Sequence, residues 1–152
     1  MTYVLRTILS PVHRADLFGR LQRLDPSEAP RWGRMSAPSM LVHLCDQMRM
    51  PFNDNPSPRI PGVPRNPILK QLVLYVVPWP KGTIEGPPEA FHTTAGNWSD
   101  DLATLRTLVD QFVNAPPDRH WPVHPNFGRL SRREWGVFCY RHFDHHLRQF
   151  GV

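Results

Sequence analysis

Eighteen prolines in 152 residues constrain this chain more than any other feature. A proline inside a helix removes a backbone hydrogen bond and clashes with the preceding turn, so it is tolerated only in a first turn or in a connection. The proline-poor stretches therefore mark where helices can run. Ser10-Pro11 opens the first: Ser10 reads as an N-cap, Pro11 suits the first helical position, and Leu17, Leu21 and Leu24 recur at helical spacing until Asp25-Pro26. Ser36 caps a second helix of about residues 37 to 50, with Pro38 in its first turn and Met40, Leu41, Leu44 and Met48 on its apolar face. Six prolines between Pro51 and Pro67 then exclude regular structure and predict a long connection.

Ile68 to Val77 follows, with Leu69, Leu72, Val73 and Val76 at i, i+3, i+4 and i+7. The run Leu72 to Val77 also fits a buried strand, but no second strand is evident to pair with it, so a short helix is expected. From Trp98 to Val113, Leu102, Leu105, Leu108, Val109 and Phe112 form one face of a third main helix, which Pro116-Pro117 stops. A connection with His120, Trp121, His124 and Phe127-Gly128 leads to Ser131-Arg132-Arg133-Glu134, a capping box that starts the last helix. Four main amphipathic helices without convincing strands predict an all-α fold, a four-helix bundle with a long proline-rich crossover between helices 2 and 3. At this length the expectation is one domain over residues 1–152.

The formal charge is +5, but its arginines are spread along the chain without a dense stripe or a recognisable motif, so no nucleic-acid partner is expected. Two cysteines, Cys45 and Cys139, form no C-x-x-C pair and suit a reducing compartment. The opening Met1 to Arg6 lacks the apolar run of a signal peptide, and Leu72 to Val77 is far short of a membrane span. A cytoplasmic protein with no membrane partner is the resulting expectation.

The last helix carries the chemistry. Between Tyr140 and Phe150 it places His142, His145 and His146 within five positions. At about 100° per residue, His142 and His146 lie about 40° apart on the wheel and one turn apart along the axis, so their rings can converge on one point. They share the inward stripe of Trp135, whereas His145 falls toward the charged flank with Glu134 and Arg141. Two imidazoles at this spacing are metal-ligand spacing, and a catalytic metal centre needs two or three protein ligands and an open position. His43, Cys139, His124 and His92 are the candidates for a third ligand, and His43 is the histidine among them that sits on a main helix facing the interior. The competing reading is a solvated, mildly basic face. Asp46 is a candidate base or an acceptor for a ligand histidine. A small buried side chain is the simpler role for Cys139, and local hydrogen-bonding anchors the simpler role for His92 and His124.

Trp32-Gly33-Arg34-Met35-Ser36 with Met40 and His43, Pro78-Trp79-Pro80-Lys81-Gly82, His124 to Leu130, Glu134-Trp135 and the block from Tyr140 to Gly151 together resemble the DinB-like (YfiT-like) superfamily of metalloenzymes, in an uncharacterised subfamily. The resemblance implies a four-helix bundle with a long crossover, often dimeric. It also implies a metal held by one histidine of the second helix and an i, i+4 pair of the last, here His43, His142 and His146. Members with known activity are thiol S-transferases or thiol-dependent isomerases, and others have been proposed to be hydrolases.

The function expected is a metal-dependent enzyme that activates a thiol or water, acting as a thiol S-transferase or hydrolase on a small molecule. Zinc or nickel is the leading divalent ion, followed by iron or manganese. A low-molecular-weight thiol is a candidate co-substrate and a homodimer a candidate assembly. The alternative is a non-catalytic metal- or ligand-binding bundle involved in stress response.

Overall fold

The computed structural model describes residues 5–52, 65–82 and 93–152. Most of the proline-rich connection and His92 lie outside the described residues. The described chain is helical: α1 is Pro11–Arg23, α2 Ala37–Arg49, α3 Pro67–Tyr75, α4 Trp98–Val113 and α5 Arg132–Gln149, with a 3-10 turn at Met50–Phe52. Among the described residues no strand forms, and the one extended pairing is an isolated bridge between His124 and Gly128.

Helices α1, α2 and α5 begin at the caps expected from the sequence, and α4 begins on Asn97. The Ser10 side chain accepts from the His13 N–H, Ser36 from the Ser39 N–H, and Asn97 from the Ser99 N–H. At α5 both halves of the capping box form: Glu134 N donates to Ser131 Oγ at 3.2 Å and Ser131 N to Glu134 Oε2 at 2.8 Å. Two backbone donors that the first turn would leave unpaired are thereby satisfied.

Helix α2 packs on both α4 and α5, while α5 also packs on α1 and α3. Met40, Leu41, Leu44 and Met48 of α2 meet Leu105, Val109 and Phe112 of α4 and Trp135, Phe143 and Leu147 of α5 in a single core. Removing that apolar surface from water is the main stabilising contribution. Arg20 ties α1 to the end of α5, donating to Asp144 Oδ1 and to the Val152 carbonyl, each at 2.8 Å. Residues 7–9 run close along α5 because Gly136 has no side chain: a Cβ there would lie 2.7 Å from Thr7 Oγ1. The same close approach brings Ile8 N within 3.0 Å of the Gly136 carbonyl.

The short element expected around residues 68 to 77 is a helix, but it turns the other way about its axis. Leu74 is fully buried, whereas of the stripe expected to pack Leu69, Leu72 and Val76 are exposed and Val73 is only partly buried. Lys70, Gln71 and Leu74 share one side of the helical wheel. Glu134 of α5 takes Lys70 Nζ at 2.8 Å and Gln71 Nε2 at 3.3 Å, and this partly shielded polar anchor turns that side inward. No helix of the described residues is long and apolar enough to cross a membrane.

Candidate metal centre

Where α2 crosses α5, three imidazoles meet. His43 comes from the middle of α2, and His142 and His146 come from successive turns of α5. One ring nitrogen from each lies within 4.8 Å of the others. Ring centroids are 5.0 Å apart for His43 and His142, 4.9 Å for His43 and His146, and 4.8 Å for His142 and His146. Such a group can hold a divalent cation. His43 and His146 are buried and His142 is partly buried, with its Nδ1 enclosed.

The protonation chemistry suits a cation. His43 Nε2 and His142 Nε2 lie 2.9 Å apart, so in the metal-free protein one nitrogen shares a proton with the lone pair of the other. A cation would replace that proton. Burial, with the neighbouring His146 and His43, holds the His142 pKa well below its ordinary 6.5. Burial, with His43, pushes His146 down to about 3 against a weaker upward pull from Gln149. Both imidazoles are therefore neutral near pH 7, the form that binds metals.

His146 is also oriented. Its Nδ1 lies 2.9 Å from Gln149 Oε1, and Gln149 Nε2 donates to the Trp32 carbonyl at 2.8 Å. Because the amide nitrogen of Gln149 is committed to a carbonyl, its oxygen faces His146 and must accept. The proton then sits on Nδ1 and the Nε2 lone pair is left for a ligand bond, the arrangement in which an outer hydrogen bond fixes the tautomer of a metal-binding histidine. His142 lacks this support: its Nδ1 is buried without a hydrogen-bond partner among the described residues.

An aromatic rim surrounds the group. Trp79 packs edge-on to His142 at 5.9 Å and lies 6.1 Å from His145, whose other side meets Trp32 at 6.0 Å. Arg141 fixes the Trp79 wall, donating from Nη1 to the Val73 carbonyl at 2.6 Å and from Nη2 to the Val77 carbonyl at 2.5 Å. The Trp79 indole N–H donates to the same Val73 carbonyl at 3.1 Å. The C-terminal end of α3, whose last carbonyls have no partner within the helix, is thus clamped onto α5 beside the histidines.

The other sequence candidates fall elsewhere. Asp46 Oδ1 receives Arg49 at 2.8 Å and the Thr93 hydroxyl at 2.5 Å, and Oδ2 receives the Thr93 N–H at 3.0 Å. Its carboxylate anchors the segment leading to α4. His145 lies in the rim, half-buried between the two indoles and edge-on to His146. Cys139 is fully buried, its thiol pushed up to about 12 by desolvation, and takes a hydrogen bond from Gln47 Nε2 at 3.4 Å. Cys45 faces the Asp101 carbonyl at 3.7 Å, and burial also pushes it up to about 12. His124 is a loop anchor whose Nδ1 accepts from the N–H groups of Asn126 and Phe127 at 3.1 and 3.2 Å.

Gln149 was not among the sequence candidates as a histidine partner, although its i+3 offset from His146 brings the two side chains together on a helix. Trp32 and Lys81 stand in loops without a period to reveal them. In comparisons with protein-family models, curated proteins and solved structures, nothing matches this chain.

Proposed function

We propose that His43, His142 and His146 hold a divalent metal ion and that the protein is a metal-dependent enzyme acting on a small molecule, as a thiol S-transferase or a hydrolase. The convergence of three ring nitrogens within 4.8 Å carries this reading. The Gln149 bond that frees the Nε2 lone pair of His146 and the burial that keeps His142 and His146 neutral support it. When bound, such an ion lowers the pKa of a thiol or a water so that a nucleophile is available near neutral pH. Three imidazoles suit zinc or nickel, with iron or manganese next. The chain's own groups do the rest: α2 and α5 position the ligands, and Trp79, edge-on to His142, shields that ring from water.

The DinB-like reading belongs to this proposal. One ligand on the second helix and an i, i+4 pair on the last, with a long connection after α2, are what that superfamily's arrangement would require. A cytoplasmic homodimer with a low-molecular-weight thiol as co-substrate is the corresponding biological form.

A second reading, a binder without turnover, has one observation in its favour. The Asp46 carboxylate is engaged by Thr93 and Arg49, which leaves it a poor base for a reaction at the histidines. Two experiments separate the readings. Elemental analysis of untagged protein should find stoichiometric metal in the parent and loss of it in His43→Ala and His142→Ala; a metal-free parent, or equal content in all three, removes the centre. Turnover of monochlorobimane or an epoxide with several thiols identifies a transferase, turnover with water alone a hydrolase, and metal content without turnover across metals and thiols the binder.

A further inference from the structure

We propose that Lys81 is a specificity-determining residue that selects substrates with an anionic tail, an inference that rests on the three-histidine metal centre proposed above. Lys81 follows Trp79-Pro80 at the exposed edge of the rim, and its Nζ stands 4.8 Å from the centroid of the Trp32 ring. Trp32 meets His145, which meets the ligand histidine His146, so the ammonium lies at the outer end of a short file of rings that leads to the centre.

Two other cations at this rim are engaged elsewhere. Arg141 donates to the Val73 and Val77 carbonyls, and Arg148 pairs with Asp144 at 2.9 Å. Among the described residues no carboxylate lies within ion-pair distance of Lys81. An indole face attracts an ammonium without neutralising it. Its charge therefore stays available to an anion while the ring restrains its position. The Trp32 backbone is itself tied to the centre, because its carbonyl takes the Gln149 amide that orients His146. Trp32, whose ring carries the Lys81 ammonium, and the ligand histidine His146 are thus linked through the Gln149 side chain. A molecule with a metal-seeking head and a negatively charged tail satisfies both ends; one with a cationic tail meets repulsion.

Cobalt-loaded protein provides the test, because a thiol entering the metal's coordination produces a charge-transfer absorption that can be titrated. 3-Mercaptopropionate and 2-mercaptoethanesulfonate are compared with neutral 2-mercaptoethanol and cationic cysteamine, in the parent, Lys81→Ala and Lys81→Arg. The two anionic thiols should show the parent's preference over the neutral one fall about tenfold in Lys81→Ala and survive in Lys81→Arg, as loss of one opposite charge near a protein surface would produce. A preference for the carboxylate alone would narrow the tail to that class. Normal cobalt binding with the same preference in parent and Lys81→Ala, or with no preference in the parent, overturns the role of Lys81 alone. Failure of the parent to bind cobalt overturns the metal centre and this inference together.

Discussion

Gln149 Oε1 lies 2.9 Å from His146 Nδ1, while the same amide's nitrogen is held by the Trp32 carbonyl. The amide cannot rotate without losing both contacts, so it acts as a fixed acceptor that holds His146 in one tautomer. Outer partners of this kind are worth about 10- to 100-fold in metal affinity. Gln149→Leu should lower affinity by that order, and Gln149→Glu, which retains an acceptor, should lose less. Competition with a chromophoric chelator measures both. Equal affinities in parent and Gln149→Leu would mean that His146 needs no such orientation.

Gly33 is tied to the same contact. Its φ is +75°, a region that disfavours a side chain, and a Cβ there would sit 2.8 Å from Gln149 Nε2. Gly33→Ala should lower stability by about 1 kcal/mol or more from backbone strain alone. It should also weaken metal binding, because the amide must move. Urea melts and chelator competition on one preparation separate the effects; lower stability with unchanged metal affinity would confine Gly33 to the turn.

Legibility in the sequence followed the strength of the local signal. Helix α5 could be read at both ends of the argument, because Ser131 and Glu134 announce its start and two histidines one turn apart announce its inward face. Helix α3 could be recognised but not oriented: apolar residues occupy nearly all its positions, and the deciding contacts are the polar ones from Lys70 and Gln71 to Glu134. Asp46 looked available because it is acidic and near His43 in sequence, but Arg49 one turn on and the tertiary arrival of Thr93 engage it. The rim was the least legible part. Trp32, Trp79 and Lys81 come from connections whose paths depend on what they pack against, and no period in the chain encodes that.

Arg141 should act on the rim rather than on the ligands. Its guanidinium holds the carbonyls of Val73 and Val77 and lies 5.5 Å from the Trp79 ring. In Arg141→Ala, hydrogen exchange should accelerate over residues 74 to 79, with about 1–3 kcal/mol of stability lost as charged hydrogen bonds disappear. Metal content should stay near that of the parent. Loss of metal with unchanged exchange would instead assign Arg141 to the ligand set's support.

The two thiols should be silent in the native protein. Desolvation pushes both Cys45 and Cys139 up to about 12, so almost no thiolate exists near pH 7. A disulfide reagent should titrate two thiols in denaturant and react at least 100-fold more slowly in the folded state. Cys139→Ala should retain metal. Rapid native labelling of Cys139 would return it to the list of reactive groups.

Acid should destabilise the metal-free protein through its buried histidines. His146 and His124 are each pushed from 6.5 down to about 3 by burial, and His142 is lowered as well. A depressed folded pKa means that the unfolded chain binds more protons between the two values, so stability rises with pH across that window. The stabilisation from keeping these rings neutral is complete above about pH 6.5 and is lost progressively as pH falls toward 3. Each ring contributes at most about 1.4 kcal/mol per pH unit within the window. Urea melts of metal-free protein between pH 7.5 and 4.5 should show the decline, and His124→Asn should make it shallower without changing metal content. Saturating zinc at pH 7 should raise stability in the parent and in His124→Asn but far less in His146→Ala, because a ligand that binds only the folded state stabilises it by mass action. A pH-independent stability in that range would show that the buried imidazoles take up protons in the folded protein as readily as in the unfolded chain.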